Sequence, residues 1–258
     1  SVYFLGQVLG IIQRGGRVVD RFDQLDQVIA NNELQVVFQP LVDLRDRSLF
    51  AYESLARTTS SHFSGPPELF DVAVECGRAG ELGRVLRGLA TKQCTETPLF
   101  LNVHPDEFGD GWLMQSDDPI FFHGHQIYLE ITESVPLKYN EMCHSILKEI
   151  RSRGVKLAVD DLGSGYSNLK YISDLRPDVV KLDRGLIEGL TKGTRLYRLV
   201  TAIVNLCVDM GAKVVAEGIE TAGELHAVID AGCHYGQGFA LARPAAPPPE
   251  PVWPAGVQ

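Results

Sequence analysis

The chain has 258 residues, 45% of them hydrophobic, enough to bury the core of one large domain or two small ones, and its formal net charge of -9 leaves no basic excess. A surface of that sign releases no phosphate counterions, so non-specific binding to DNA or to anionic membrane is disfavoured, and an anionic ligand must be received by metal or by a few placed cations. No apolar run approaches the roughly 20 residues of a membrane span. The cysteines at 76, 94, 143, 207 and 233 form no Cys-x-x-Cys pair, which fits a reducing cytoplasm better than a disulfide framework.

The chain opens at Ser1 rather than Met, as a piece cut from a longer protein does. Val2 to Ile12 is apolar with helical spacing, and after the Arg14-Gly15-Gly16-Arg17 break a second helical pattern covers Arg21 to Asn31. Residues 1–21 therefore read as a helical connector, either continuing a linker from an upstream sensor or regulatory domain or capping its own core. Strand-like runs follow at Leu34–Gln39, Leu49–Leu55, Leu99–Val103, Ile127–Ile131, Lys156–Val159, Val179–Leu182 and Lys213–Ala216, with a weak one near Gly238–Leu241. Helix-length segments separate most of them: Pro67–Arg78 with Glu81–Cys94, the stretch after Pro105, Asn140–Arg153, a short one after Ser167, Thr194–Met210 and Ala222–Ala231.

Eight such alternations predict an α/β fold, a (β/α)8 TIM-type barrel. Pro40–Ser48 is too short for a crossover helix, so the first strand should pair with the second as a hairpin and run antiparallel to the rest. The barrel is expected over 22–244. The Pro-rich tail over 245–258, with Pro247, Pro248 and Pro249 in a row, cannot be helical and reads as an extended, partly disordered exit.

Catalytic groups of such a barrel sit where the parallel strands end. Those ends carry Glu53, Asn102, Glu130, the Asp160-Asp161 pair, Lys181 and Glu217, with Gln237 just before the weak eighth run. Charges set among strands that otherwise read Leu-Ala-Val or Val-Val-Ala are costly without partners. The partner can be a buried ion-pair network, or one or two hard cations; carboxylate and amide oxygens suit Mg²⁺ or Mn²⁺. Two such ions are the usual equipment for in-line displacement at phosphorus, with Lys181 placed to stabilise phosphoryl charge or hold the water. No Ser or Cys with a paired His is evident, so water is the expected nucleophile.

Several other signals are set aside. Gly163-Ser164-Gly165 lacks the Lys-Ser/Thr of a P-loop, and His123-Gly124-His125 precedes its strand and so falls at the opposite rim. Lys148, Arg151 and Arg153 with Glu149 read as a solvated helix face.

At the rim residues the chain resembles a known family. Phe38-Gln39-Pro40, Tyr52-Glu53-Ser54-Leu55-Ala56-Arg57, Asn102, Leu129-Glu130-Ile131-Thr132-Glu133-Ser134, Asp160-Asp161-Leu162-Gly163, Val180-Lys181-Leu182-Asp183, Ala216-Glu217-Gly218-Ile219-Glu220-Thr221 and Gly236-Gln237-Gly238-Phe239 are similar, in order and spacing, to the signatures of the EAL domain, the cyclic di-GMP phosphodiesterase. The name-giving Glu-Ala-Leu reads Glu53-Ser54-Leu55, and Ala51, Thr58 and Leu162 depart from the family's usual Gly, Trp and Phe without removing a ligand.

The resemblance implies that Glu53, Asn102, Glu130 and Asp160 bind a first metal, with Asp160 bridging to a second held by Asp161. Glu217 matches either a second-metal ligand or the general base. Lys181 matches the lysine beside the attacking water, and Gln237 a water-positioning group. Gln39, Leu55, Arg57 and Phe239 fall among groups that hold the dinucleotide; Glu133, with Glu220, falls among loop-anchoring ones. The implied reaction is hydrolysis of cyclic di-GMP to linear pGpG, in a chain that forms a homodimer. The runner-up is a catalytically silent cyclic di-GMP receptor module, and a scaffold with a vestigial site is the third reading.

Overall fold

The computed structural model describes residues 20–109, 111–132, 140–164 and 169–257, with the side chains of 140–143 and 169–171 excluded. The expectations for 1–19, Glu133 and Gly165–Ser167 lie outside the described residues. A helix α1 runs over 20–30 and seats Leu25 and Val28 in the core.

Eight strands close a barrel in sequence order: β1 (Leu34–Asp43), β2 (Leu49–Thr58), β3 (Leu99–Asn102), β4 (Ile127–Thr132), β5 (Lys156–Leu162), β6 (Val179–Leu182), β7 (Lys213–Ala216) and β8 (Tyr235–Gly236). As the short first connection requires, β1 is antiparallel to both β2 and β8, and every other pairing is parallel. Strand period two sorts the side chains into shells. Leu41, Ala51, Phe100, Tyr128, Ala158, Val179 and Val215 fill the barrel interior, and the alternate positions, such as Leu129, Leu157, Val180 and Val214, face the surrounding helices.

The helices outside are α2 (Pro66–Glu75), α3 (Ala79–Gln93), α4 (Asn140–Ser152), α5 (Leu169–Leu175), α6 (Arg184–Ile187), α7 (Arg195–Asp209) and α8 (Ala222–Asp230). Local chemistry sets several of their starts. Thr194 caps α7 by accepting from Tyr197 N–H, and Thr221 and Glu224 form a reciprocal capping box on α8.

Three elements differ from the sequence expectation. The eighth strand lies at Tyr235–Gly236, not 238–241, because those two residues pair with Val215–Ala216 and with Val42–Asp43, whereas Gly238–Leu241 forms a turn. Gln237 therefore follows the last strand instead of preceding it. The stretch after Pro105 forms three 3-10 turns, Pro105–Phe108, Trp112–Met114 and Pro119–Phe121, rather than a crossover α-helix.

The tail is not a loose exit. Ala245 bridges to Phe38 on β1, the Tyr52 hydroxyl donates to Pro249 O at 2.9 Å, and Val257 is buried with the helices around β7 and β8. The hairpin leaves the outer face of β1 and β2 without the helix a crossover would supply, and the tail covers part of it.

The 3-10 turns are pinned by Arg87 of α3. Its guanidinium, 2% exposed, lies 2.5 Å from Glu107 and 2.8 Å from Asp118, both fully buried. Glu107 also accepts from His104 N–H and Asp118 from Ile120 N–H, so the same carboxylates cap two of the turns. Gly83 leaves the room, since a Cβ there would meet the Glu107 carboxylate at 2.1 Å. Arg87→Met strands two buried carboxylates and should lower stability by about 3–5 kcal/mol in urea unfolding, with Arg87→Met/Glu107→Gln/Asp118→Asn recovering most of the loss.

Candidate active site

The inward positions that follow the apolar interior layer are polar. Gln39 opposes Glu53 in the β1–β2 register, and Asn102 opposes Glu130 in the β3–β4 register. At the centre stands Lys181 of β6, fully buried. Its Nζ lies 2.6 Å from Glu130, 2.7 Å from Glu217, 3.2 Å from Glu53 and 3.4 Å from Asp160. Gln237 Nε2 donates to Glu53 at 2.7 Å and to Gln39 Oε1 at 3.2 Å, and Asn102 Nδ2 donates to Glu53 at 3.2 Å. Gln39 in turn donates to Ala242 O at 3.1 Å, tying the last turn to the barrel mouth. That turn needs Gly238: a Cβ there would fall 2.2 Å from the Ile219 backbone.

Asp160 and Asp161 are consecutive, and a regular strand would send them to opposite faces. The β5–β6 register shifts between Val159 and Leu162, and Asp161 takes a left-handed conformation with φ 59°. A β-bulge of this kind re-aims a side chain, and Asp tolerates the left-handed region better than most residues. Both carboxylates consequently reach one site: oxygens of Asp160, Asp161 and Glu217 lie within 4.8 Å of one another, as do those of Glu53, Glu130 and Asp160.

The charges are out of balance. Burial would lower the Lys181 ammonium, but Asp160, Glu130, Glu217 and Glu53 together hold it well above its ordinary value. Burial would likewise raise Glu53, but the Lys181 charge and the Gln237, Lys181 and Asn102 hydrogen bonds bring it below the usual range. Glu130 is pushed well up by burial and by the Glu53 charge, and Glu217 well up by burial and by Asp160, in each case against the pull of Lys181. Burial, then Asp160, pushes Asp161 up to about 6.

Divalent cations fit this site. Five carboxylates crowd around one ammonium, and neither Glu130 oxygen, although one is ion-paired with Lys181, has an aligned hydrogen-bond donor; Gln237 Oε1 is also without one. Buried oxygens left in that state are the donor set of a hard cation. Asp160 belongs to both acidic triads.

The remaining sequence-derived residues are spread around the rim. Leu55 is half-buried, Arg57 is exposed and donates to its neighbour's carbonyl at Ala56, and the exposed Phe239 lies under the Arg243 guanidinium at 4.2 Å. Glu220 pairs with Arg184 at 2.8 Å, at the start of α6. Thr132, beside Asp160 in the β4–β5 register, was reachable from the sequence, since Tyr128, Glu130 and Thr132 share one face by alternation. His104 accepts from Asp106 N–H and stacks on Phe70.

Fold and site together define a (β/α)8 barrel protein with a carboxylate-rich site, suited to divalent cations, at the C-terminal ends of its strands. Within that class the chain belongs to the EAL domain family, whose model matches residues 23–244. The cyclic di-GMP phosphodiesterase PA2567 of Pseudomonas aeruginosa is 30% identical over 237 residues, covering 86% of this chain and 40% of its own length. The oxygen sensor protein DosP of Escherichia coli is 29% identical over 247 residues, covering 90% of this chain and 31% of itself. This chain thus spans less than half the length of either relative.

Among solved structures, the manganese and cyclic di-GMP complex of BlrP1 from Klebsiella pneumoniae superimposes with a TM-score of 0.74 at 26% identity, over 86% of this chain and 58% of that one. The cyclic di-GMP complex of the PaMucR phosphodiesterase gives 0.72 at 28% identity, over 83% and 97%. No helix among the described residues is long and apolar enough to cross a membrane.

The raised Asp161 carboxyl has a measurable consequence in metal-free protein. Its stabilising contribution is complete below about 3.8, the ordinary value, and is lost as pH rises through about 6, because the unfolded chain ionises first. Relative to Asp161→Asn, the wild type should therefore lose melting temperature between about pH 4 and 6 and hold a constant difference above; a difference flat across that window would refute the assignment.

Proposed function

We propose that the chain is a divalent-metal-dependent phosphodiesterase that opens one phosphodiester of cyclic di-GMP to give linear pGpG. The observation that carries this reading is the pair of acidic triads sharing Asp160 around a buried lysine. The names of the Pseudomonas relative and of the two dinucleotide complexes support the substrate.

Glu53, Asn102, Glu130 and Asp160 would hold one Mg²⁺ or Mn²⁺, and Asp160, Asp161 and Glu217 a second. Bound there, such ions supply Lewis-acid activation of water and of the phosphoryl oxygen. Lys181 places a fixed positive charge where phosphoryl charge develops, in a site too buried for water to screen it. Glu217, with its raised carboxyl, serves as metal ligand or accepts the proton of the attacking water. Gln237 and Gln39 orient Glu53 and the water beside it. Leu55, Arg57 and Phe239 edge the mouth where the rest of the dinucleotide would lie, Arg57 offering a planar fork to a phosphate. A complete ligand set with its lysine argues for the enzyme over the silent receptor, which has no need of Lys181 among four carboxylates.

Glu53→Ala should fold normally and lose at least about 100-fold in the rate of cyclic di-GMP hydrolysis with Mn²⁺, followed by chromatography of the linear product. Full hydrolysis in that variant, or none in the wild type, would overturn the reading.

We propose that the chain forms a homodimer whose interface includes the loop from Gly163 and also α7. Leu199, Ala202, Ile203, Leu206 and Met210 form a partly or fully exposed apolar stripe beside the buried Val200, Val204 and Cys207. Light scattering should give a dimer for the wild type and a monomer for Leu199→Glu/Leu206→Glu; a wild-type monomer, or a variant that stays dimeric, removes α7 from the interface. We read the chain as cytoplasmic and as working under an upstream sensor or regulatory domain; the longer lengths of the relatives and the sensor name of one support an additional regulatory domain.

A further inference from the structure

Lys148 and Arg151, which the sequence places on a solvated helix face, border a cavity of about 480 Å³ between α4 and the end of α5. His144, Lys148 and Arg151 follow one another at intervals of four and three residues and so share one ridge of α4. Arg176 stands across from them, with Leu147 and Leu175 supplying apolar wall and Ser145 and Asp174 completing the lining. Four cation-forming side chains and a single carboxylate meet there, in a chain whose net charge is -9.

Basic residues near helix C-termini often do no more than offset the helix dipole. Arg151 is such a residue, since it donates to Leu175 O at 3.1 Å and Arg176 O at 2.9 Å, and pairs with Asp178 at 3.3 Å. The side chains of His144, Lys148 and Arg176 have no hydrogen-bond or ion-pair partner among the described residues.

Arg176 has a second peculiarity. It ends α5 in the left-handed conformation, φ 46°, with its N–H donating to Ile172 O, a position where glycine or asparagine is the ordinary occupant. An arginine kept in the left-handed backbone region beside an unengaged lysine and an unengaged imidazole points to a ligand.

We propose that the α4–α5 groove binds a small phosphate-bearing anion, distinct from the dinucleotide of the barrel mouth. Lys148, Arg176 and the His144 ring N–H would contact the phosphate, and Leu147 and Leu175 would cover a short aliphatic portion. The volume falls within the range of small-molecule sites. The lining has no Phe, Tyr or Trp ring to stack a nucleobase.

Inorganic pyrophosphate titrated calorimetrically into the whole chain, stripped of metal with EDTA, tests the site. Without metal the probe has no ion to chelate in the barrel mouth, and the outcome does not depend on whether the barrel hydrolyses cyclic di-GMP. One-site binding should weaken at least about tenfold in Lys148→Ala/Arg176→Gly, which removes two charge-assisted contacts while glycine suits the left-handed backbone. The melting temperature should not fall. Equal affinity in the variant, or no binding by the wild type at millimolar pyrophosphate, overturns the proposal. Variant-sensitive binding of a tetraglutamate peptide in place of pyrophosphate also overturns it and assigns the groove to a protein partner.

Discussion

One ammonium within 3.4 Å of four carboxylates is the interaction on which the barrel mouth depends. Carboxylates this close repel, and burial strengthens the repulsion by removing water. Lys181 offsets part of it from the centre, where a single charge serves every neighbour at once. The offset is unevenly shared. Glu53 has three donors and stays easily ionised, whereas Glu130 and Glu217 lack equivalent donors and resist ionisation. Additional positive charge is what would let the ring be fully ionised at neutral pH, and the oxygens with no donor are free to receive it.

The scaffold bends several rules to produce this ring. Closing the barrel through an antiparallel β1 brings Gln39 opposite Glu53 and lets Gln237, just past β8, reach both. It also forfeits one outer helix, which the tail partly replaces through Ala245, Pro249 and Val257. The bulge at Asp160–Asp161 breaks the strand's alternation to turn two consecutive acids into one site, and left-handed backbone at Asp161 is its local cost.

Alternation made the barrel, the hairpin and every ring residue legible in the sequence, because period two and strand ends are local properties. The tetrad around Lys181 was not legible as such: the sequence puts one residue at each strand end but carries no distances. The tail misled because prolines forbid helix and sheet without forbidding packing, and Tyr52 and Phe38, its partners, lie some 200 residues upstream. β8 misled because two residues suffice when both neighbours are already placed, so Tyr235–Gly236 shows no strand-like run. Arg87 gave no signal at all; an arginine in an amphipathic helix looks exposed until Glu107 and Asp118 close over it.

Three charge clusters in this chain sort by how completely they are paired. Arg87, Glu107 and Asp118 are fully buried, and every carboxylate is met by the guanidinium and by backbone N–H groups. Such closure leaves nothing for a ligand to add, and the cluster serves to hold the 3-10 turns against α3. The Lys181 ring has an excess of negative charge and buried oxygens without donors. The α4–α5 groove has an excess of positive charge and three side chains without partners among the described residues. A fold that can neutralise a buried triad so thoroughly in one place is under no geometric compulsion to leave the other two unbalanced. The imbalance therefore locates chemistry: cations belong where oxygens are left over, and anions where Lys148 and Arg176 are.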